Sequence, residues 1–187
     1  MAIVQLDRAS DDRASVLRQR ALEVSPEDPE LELLVARMRA TLEESGGVGL
    51  AAPQVGISRR VVLLRHGTRP VGQQTRVEAY LNPRIEWASA ELDEDYEACL
   101  SVDGVGGLVQ RAQRLRLVHD LPGGTRTVEL VDWDARIAQH ELDHLDGLLY
   151  VDKLVGELLP TDQVRKLRDE GHRKRGWIPS EPPPPGS

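Results

Sequence analysis

The residues best suited to chemistry stand together at His140-Glu141-Leu142-Asp143-His144. On a helix, positions four apart lie on one face, one turn apart. Two imidazoles there can converge on one ion about 2 Å from each nitrogen. Glu141 projects beside such an ion rather than onto it, within reach of a bound water as a general base. A catalytic metal usually takes a third protein ligand and leaves one position for water, and two readings stand open for that ligand. A metallopeptidase would draw a Glu or His from downstream. Cys99, in Glu97-Ala98-Cys99-Leu100-Ser101, offers a thiolate suited to zinc or ferrous iron. Spacing alone does not place Cys99 beside the helix, and a lone cysteine is often a small buried hydrophobe. His66, His119 and His172 sit at strand ends or in a basic run and read as surface residues.

Periodicity names the elements that must hold these side chains. Residues 11 to 24 and 28 to 45 carry apolar residues at helical spacing, the second with Leu31, Leu33, Leu34, Val35, Met38 and Leu42 as a stripe. Ser25-Pro26-Glu27-Asp28-Pro29 supplies turn and capping chemistry before it. A Gly-rich loop follows, from Gly46 to Gly56. Residues 60 to 65 read as a buried strand, and 77 to 87 as a second strand interrupted by Asn82-Pro83. Alternation over 107 to 119, the turn Pro122-Gly123-Gly124 and renewed alternation over 125 to 131 predict a strand leading into a hairpin over 113 to 131. Residues 134 to 148 read as the helix bearing the histidines, with Asp134 as N-cap and Gly147 near its end. Residues 161 to 175 suggest a further helix. Strands in runs, with little βαβ alternation, predict an α+β fold.

Composition bounds the rest. A chain of 187 residues suits one catalytic domain. We assign residues 1–160 to it, 161–176 to a C-terminal helix with a basic face, and 177–187 to an extended Pro-rich tail. With no Phe, the core must rest on Leu, Val, Ile and Ala. A net charge of -7 argues against a dedicated, sequence-specific nucleic-acid binder. No apolar run reaches membrane-spanning length, and the N-terminus lacks the basic and apolar regions of a secretory signal. One cysteine permits no internal disulfide, which fits a reducing cytoplasm.

Three segments occur here in the order of the peptide deformylase family: Gly47-Val48-Gly49-Leu50-Ala51-Ala52-Pro53-Gln54, Glu97-Ala98-Cys99-Leu100-Ser101, and Gln139-His140-Glu141-Leu142-Asp143-His144-Leu145-Asp146-Gly147. The chain resembles that family over roughly its first 155 residues. The resemblance implies antiparallel sheets packed around a central metal-binding helix. It implies removal of the formyl group from the N-terminal formyl-methionine of newly made polypeptides. By similarity Cys99, His140 and His144 hold the metal, usually Fe2+, with Zn2+, Ni2+ or Co2+ as substitutes. Metal-bound water would attack the formyl carbon, with Glu141 as acid/base. Gln54 and the Leu100 backbone N–H would stabilise the oxyanion. Val48, Gly49 and Ala98 would bind substrate, the glycines letting an extended peptide approach in strand-like pairing.

Two positions depart from the family pattern. Ala98 stands where the family usually has Gly, adding a methyl beside the metal and disfavouring positive φ. Trp133 replaces a small or aliphatic residue, as pocket lining for the Met side chain or as a core residue at the helix start. Glu97 is expected to pair with Arg111, and Asp143 to accept from a ligand histidine or to offset helix charge. In the last helix Arg165, Lys166, Arg168, Arg173, Lys174 and Arg175 stand against Asp169 and Glu170. That is a solvated helix face or a surface for ribosomal RNA. Two rival functions are kept: a zinc peptidase with a ligand beyond His144, and a metal-binding homologue inactivated by Ala98.

Overall fold

Val61-Val62-Leu63-Leu64 organises the fold because it is apolar on both faces. In a strand, alternate side chains point to opposite sides. In the computed structural model, Val62 and Leu64 enter one core cluster while Val61 and Leu63 enter another. The structure describes residues 1–6 and 15–176, Arg173 without its side chain. In chain order these form α1 (Glu30–Ser45), β1 (Gly49–Ala51), β2 (Val61–His66), β3 (Arg76–Ala88), β4 (Leu92–Cys99), β5 (Val102–Ala112), β6 (Arg114–Leu121), β7 (Gly124–Val131), α2 (Asp132–Leu145), β8 (Leu159–Pro160) and α3 (Thr161–Lys174). An antiparallel sheet runs β1-β2-β3-β6-β7, and a smaller one runs β4-β5-β8.

Of the α1 stripe, Leu31, Leu34, Met38 and Leu42 cover the outer face of β1 and β2 with Val35 packed against them, whereas Leu33 lies on the solvent side of the helix, 59% exposed. On the other face lies α2, whose Ala135, Ala138, Leu142 and Leu145 meet Val62, Leu64, Leu115 and Leu117. Small alanines let this helix sit close to the sheet, and its remaining side reaches β5. The central helix is therefore enclosed by both sheets, and its polar residues must find partners within the protein. Helix α3 packs on β4 and β5. This is the α+β architecture expected, antiparallel sheets around the histidine-bearing helix.

Several local expectations change. Residues 15–24 do not form a helix beyond the 3-10 turn Val16–Arg18, and 7–14 lie outside the described residues. The segment instead straps other elements: Ala21 N–H donates to Leu145 O, and Leu22 bridges Arg59. Tertiary pairing there overrides helical periodicity. Strand β3 continues through Asn82-Pro83 as a bulge, with Asn82 at φ 47. Asn tolerates that backbone, and its side chain ties down Val24 and Asp120. Residues 107 to 119 are two strands, parted at Gln113, where the chain leaves one sheet for the other. The proposed tail 177–187 lies outside the described residues.

Helix α2 begins at Asp132 and ends at Leu145, and Asp134 is not its cap. Val131 holds the cap position, and the Asp134 carboxylate binds Nδ1 of His66 at 2.8 Å. His66, His119 and His172 are buried rather than on the surface, at 3%, 5% and 0% exposure. His66 also meets the Tyr80 hydroxyl, His119 packs edge-on against the Tyr80 ring, and His172 Nε2 pairs with Asp95. Strand-end position says nothing about what lies opposite, and here each ring has a neighbour from another element.

Candidate metal centre

Helix α2 presents His140 and His144 one turn apart, with ring centroids 5.2 Å from each other. Strand β4 brings Cys99 to the same point, its last pairing shifted by an irregularity after Ala98. Cys99 Sγ lies 3.3 Å from His144 Nε2. The ligand atoms of Cys99, His140 and His144 all fall within 4.8 Å of one another. An ion about 2.0–2.3 Å from each donor in tetrahedral geometry needs donors roughly 3.3–3.8 Å apart. The trio fits a divalent ion with little adjustment, and one thiolate with two imidazoles suits ferrous iron or zinc. No group beyond His144 joins the cluster among the described residues. His172, the downstream histidine a peptidase reading would draw on, is tied to Asp95 instead.

The support beneath the trio is ionic and nearly complete. His140 Nδ1 meets Glu97 Oε2 at 2.8 Å, which leaves Nε2 for the ion. Arg111 donates Nε and Nη2 to the two Glu97 oxygens at 3.0 and 2.9 Å, and Arg136 Nη1 adds a third guanidinium contact at 2.8 Å. Burial pushes the Glu97 carboxyl up, but the bonds from His140 and Arg111 outweigh it and hold it far below the usual range. The Glu97–Arg111 pair thus forms as expected. Asp143 does not accept from a ligand histidine; it binds Arg111 and Lys153. Arg136 went unnoticed in the sequence, yet it precedes His140 by one helical turn and so shares its face.

Glu141 contrasts with Glu97. It is 4% exposed, and its Oε2 finds no partner among the described residues. Burial pushes its carboxyl up to about 7. Its carboxyl packs against Gly49, where a Cβ would collide with it, so the glycine is needed for close approach. Gln54 is oriented by Ala51 N–H, which donates to Oε1 at 2.8 Å. The Gln54 amide nitrogen then faces Cys99 Sγ at 3.5 Å and Ser101 Oγ at 3.4 Å. A cavity of about 350 Å³ opens over these groups. Val48, Gly49, Gln54, Ala98, Cys99, Leu100, His140 and Glu141 all line it, while His144 lies beneath, 1% exposed. Ala98 has no positive φ, so its methyl sits on ordinary strand backbone.

The polypeptide deformylase family model matches residues 3–158. This chain belongs to the peptide deformylase family. The peptide deformylase of Dictyoglomus thermophilum is 39% identical over 149 residues, 79% of this chain and 92% of that protein. That of Finegoldia magna is 34% identical over 171 residues, 91% and 99% of the two chains. Among solved structures, the Thermotoga maritima peptide deformylase superposes with a TM-score of 0.71 at 32% identity, over 83% of this chain and 99% of that one. A Met-Ala-Ser-bound class I type b peptide deformylase from Acinetobacter baumannii gives 0.69 at 33%, over 82% and 99%.

Within this deformylase fold, Trp133 is both a cavity-lining and a core residue. It donates Nε1–H to Thr68 at 2.9 Å. Helix α3 begins after the matched stretch and does not present all its cations to solvent. Arg165 and Arg168 line the cavity, and Arg175 binds Asp93 and Asp95. Lys166 and Lys174 are exposed, and the Arg173 side chain falls outside the described residues. Sequence gave no sign that Arg69, from the β2–β3 loop, would join Arg165 and Arg168 on the cavity wall.

Proposed function

We propose that this chain hydrolyses the N-terminal formyl group of formyl-methionyl polypeptides and releases formate. The observation that carries this reading is the convergence, on one cavity, of the Cys99–His140–His144 donor set, the unpartnered Glu141 oxygen and the Gln54 amide. A divalent ion held by those three donors, Fe2+ before Zn2+, Ni2+ or Co2+, would supply a Lewis acid and acidify a water molecule towards neutral pH.

The chain's own residues account for the remaining steps. Glu141 Oε2 takes the proton as water oxygen bonds to the formyl carbon. The same carboxyl gives that proton to the amine nitrogen as the C–N bond breaks, so formate and a free N-terminus result. Gln54 Nε2 and the Leu100 N–H donate to the developing oxyanion; anchoring of Gln54 by Ala51 keeps its amide from turning away. Among the described strands β1 pairs only with β2, which leaves its outer edge to an extended peptide along Val48-Gly49. Ala98 lines the same cavity from β4.

The test is formate release from formyl-Met-Ala-Ser by anaerobically prepared, ferrous protein. Turnover is expected, and absence of formate overturns the reading. The activity belongs with nascent chains, in the cytoplasm; no described helix is long and apolar enough to cross a membrane. Contact with the ribosome through α3 would rest on Lys166 and Lys174. Loss of co-sedimentation in the double Glu variant is the expected result, and unchanged co-sedimentation overturns it.

A further inference from the structure

Four guanidiniums line the cavity, and they are of two kinds. Arg136 is fully engaged by protein, binding Glu97, Asp93 and the Val109 carbonyl. Arg69, Arg165 and Arg168 close no ion pair among the described residues. Arg69 donates Nε–H to Nδ1 of His172 at 3.2 Å and Nη1 to the Thr68 carbonyl, and lies 5.8 Å above the Trp133 ring. Arg168 has its Nε buried without an acceptor among the described residues. Burial and the charge of Arg168 both hold the Arg69 pKa below its usual value, only partly offset by Asp169 and Asp95.

A protein with 31 acidic residues against 24 basic ones has carboxylates to spare. It nevertheless places like charges on the wall of this one cavity. Such an arrangement is unfavourable until an anion enters. The planar guanidinium fork matches a carboxylate in particular.

We infer that Arg69, Arg165 and Arg168 form a carboxylate-recognising rim on this pocket, so that the chain favours formyl peptides with an acidic residue just beyond the formyl-methionine. The inference rests on the deformylase reading and deepens it by naming a substrate class. Two of the three arginines come from α3, which starts after the residues matched by the family model. The preference thus depends mainly on the C-terminal helix, with Arg69 added from the β2–β3 loop.

The experiment compares C-terminally amidated peptides, which carry no terminal carboxylate: formyl-Met-Ala-Ala, formyl-Met-Asp-Ala and formyl-Met-Ala-Asp. The better acidic peptide is expected to exceed the neutral one in kcat/KM on the order of ten-fold at low salt, with the ratio shrinking as salt rises. In the R165Q/R168Q variant the ratio should collapse towards one, and in R168E it should fall below one. R168K, which keeps the charge, should retain part of it. A ratio of one or less in the wild type overturns the rim, as does a ratio unchanged in R165Q/R168Q. If no peptide releases formate, the deformylase reading fails separately. Calorimetric binding of Met-Asp-Ala, Met-Ala-Asp and Met-Ala-Ala amides then decides the rim: tighter, salt-sensitive binding of an acidic peptide supports it, and equal binding overturns it.

Discussion

At the metal end of the cavity, Arg111 and Arg136 are surrounded by Glu97, Asp143, Asp93 and backbone carbonyls. Arg69, Arg165 and Arg168 line the same cavity, and among the described residues no carboxylate forms an ion pair with them. The two buried glutamates divide in the same way. Glu97 takes donors from His140, Arg111 and Arg136, whereas Glu141 Oε2 has none among the described residues. The same side-chain types serve two purposes, distinguished by where their partners come from. Groups completed within the protein fix geometry. Groups left incomplete must be completed by something that enters, which is how a fold stores binding and proton-transfer capacity. Carboxyl groups whose environments drive their pKa values apart mark the same division.

The largest expected effect falls on the incomplete side. Glu141→Gln keeps the shape but removes the proton carrier. Formate release from formyl-Met-Ala-Ser should fall roughly 10²–10⁴-fold, while bound metal and melting temperature hold. Turnover within ten-fold of wild type would show that Glu141 is structural too. On the completed side, Glu97→Ala strands Arg111 and Arg136 in the interior. Losing one partner of a buried ionic network costs about 3–5 kcal/mol, which should appear as a lower urea midpoint even in metal-free protein. A loss below about 1 kcal/mol would dissolve the distinction, since the support would then be no more than a tuning device for the histidines.

The sequence reveals the chemistry better than its surroundings, and for a physical reason. His140 and His144 are legible because helical geometry fixes their relation within five residues, and the α2 and β2 patterns follow from local periodicity. What lies opposite a given side chain is a tertiary fact. His66, His119 and His172 look exposed in sequence and are buried, because Asp134, Tyr80 and Asp95 approach from other elements. The cations of α3 look like one solvated face, yet the docking of the helix on β4 divides them between the cavity, Asp93 and Asp95, and solvent. Arg69 carries no local signal at all. Residues 15–24 have helical spacing, yet beyond the turn Val16–Arg18 the chain is drawn out by the bonds of Ala21 to Leu145 and of Leu22 to Arg60.

The link between the two regions is the buried His172–Asp95 contact at 2.7 Å, which ties α3 to β4. Asp95→Asn should destabilise the protein by roughly 1–3 kcal/mol, since charged hydrogen bonds from His172 and Arg175 are weakened. Burial pushes this carboxyl up, but the bond and charge of His172, the Tyr96 N–H and the charge of Arg136 together outweigh it and hold its pKa below the ordinary value. A lowered carboxylate pKa contributes stability that is complete above the unfolded value and lost as pH falls through the folded one. The stability gap between wild type and Asp95→Asn should therefore be full at pH 6 and shrink once pH drops below about 4. A gap that does not change with pH would mean that Asp95 acts by shape alone, and that α3 does not depend on this charge to hold Arg165 and Arg168 at the rim.

The smallest effect belongs to Ala98, which lies on the cavity wall between the two regions. It sits opposite Gly106 in the β4–β5 register, and a side chain at Gly106 would strike the Glu97 carbonyl and Val164 of α3. The required glycine is therefore on β5, where α3 packs, and not on β4. Because Ala98 has no positive φ, Ala98→Gly relieves no strain and adds only unfolded-state freedom. It should cost about 0.5–1 kcal/mol in thermal stability and leave kcat for formyl-Met-Ala-Ser within a few-fold. A ten-fold gain would reassign the pocket's selectivity to this methyl group, since removing it would then open the channel that the arginines are inferred to govern.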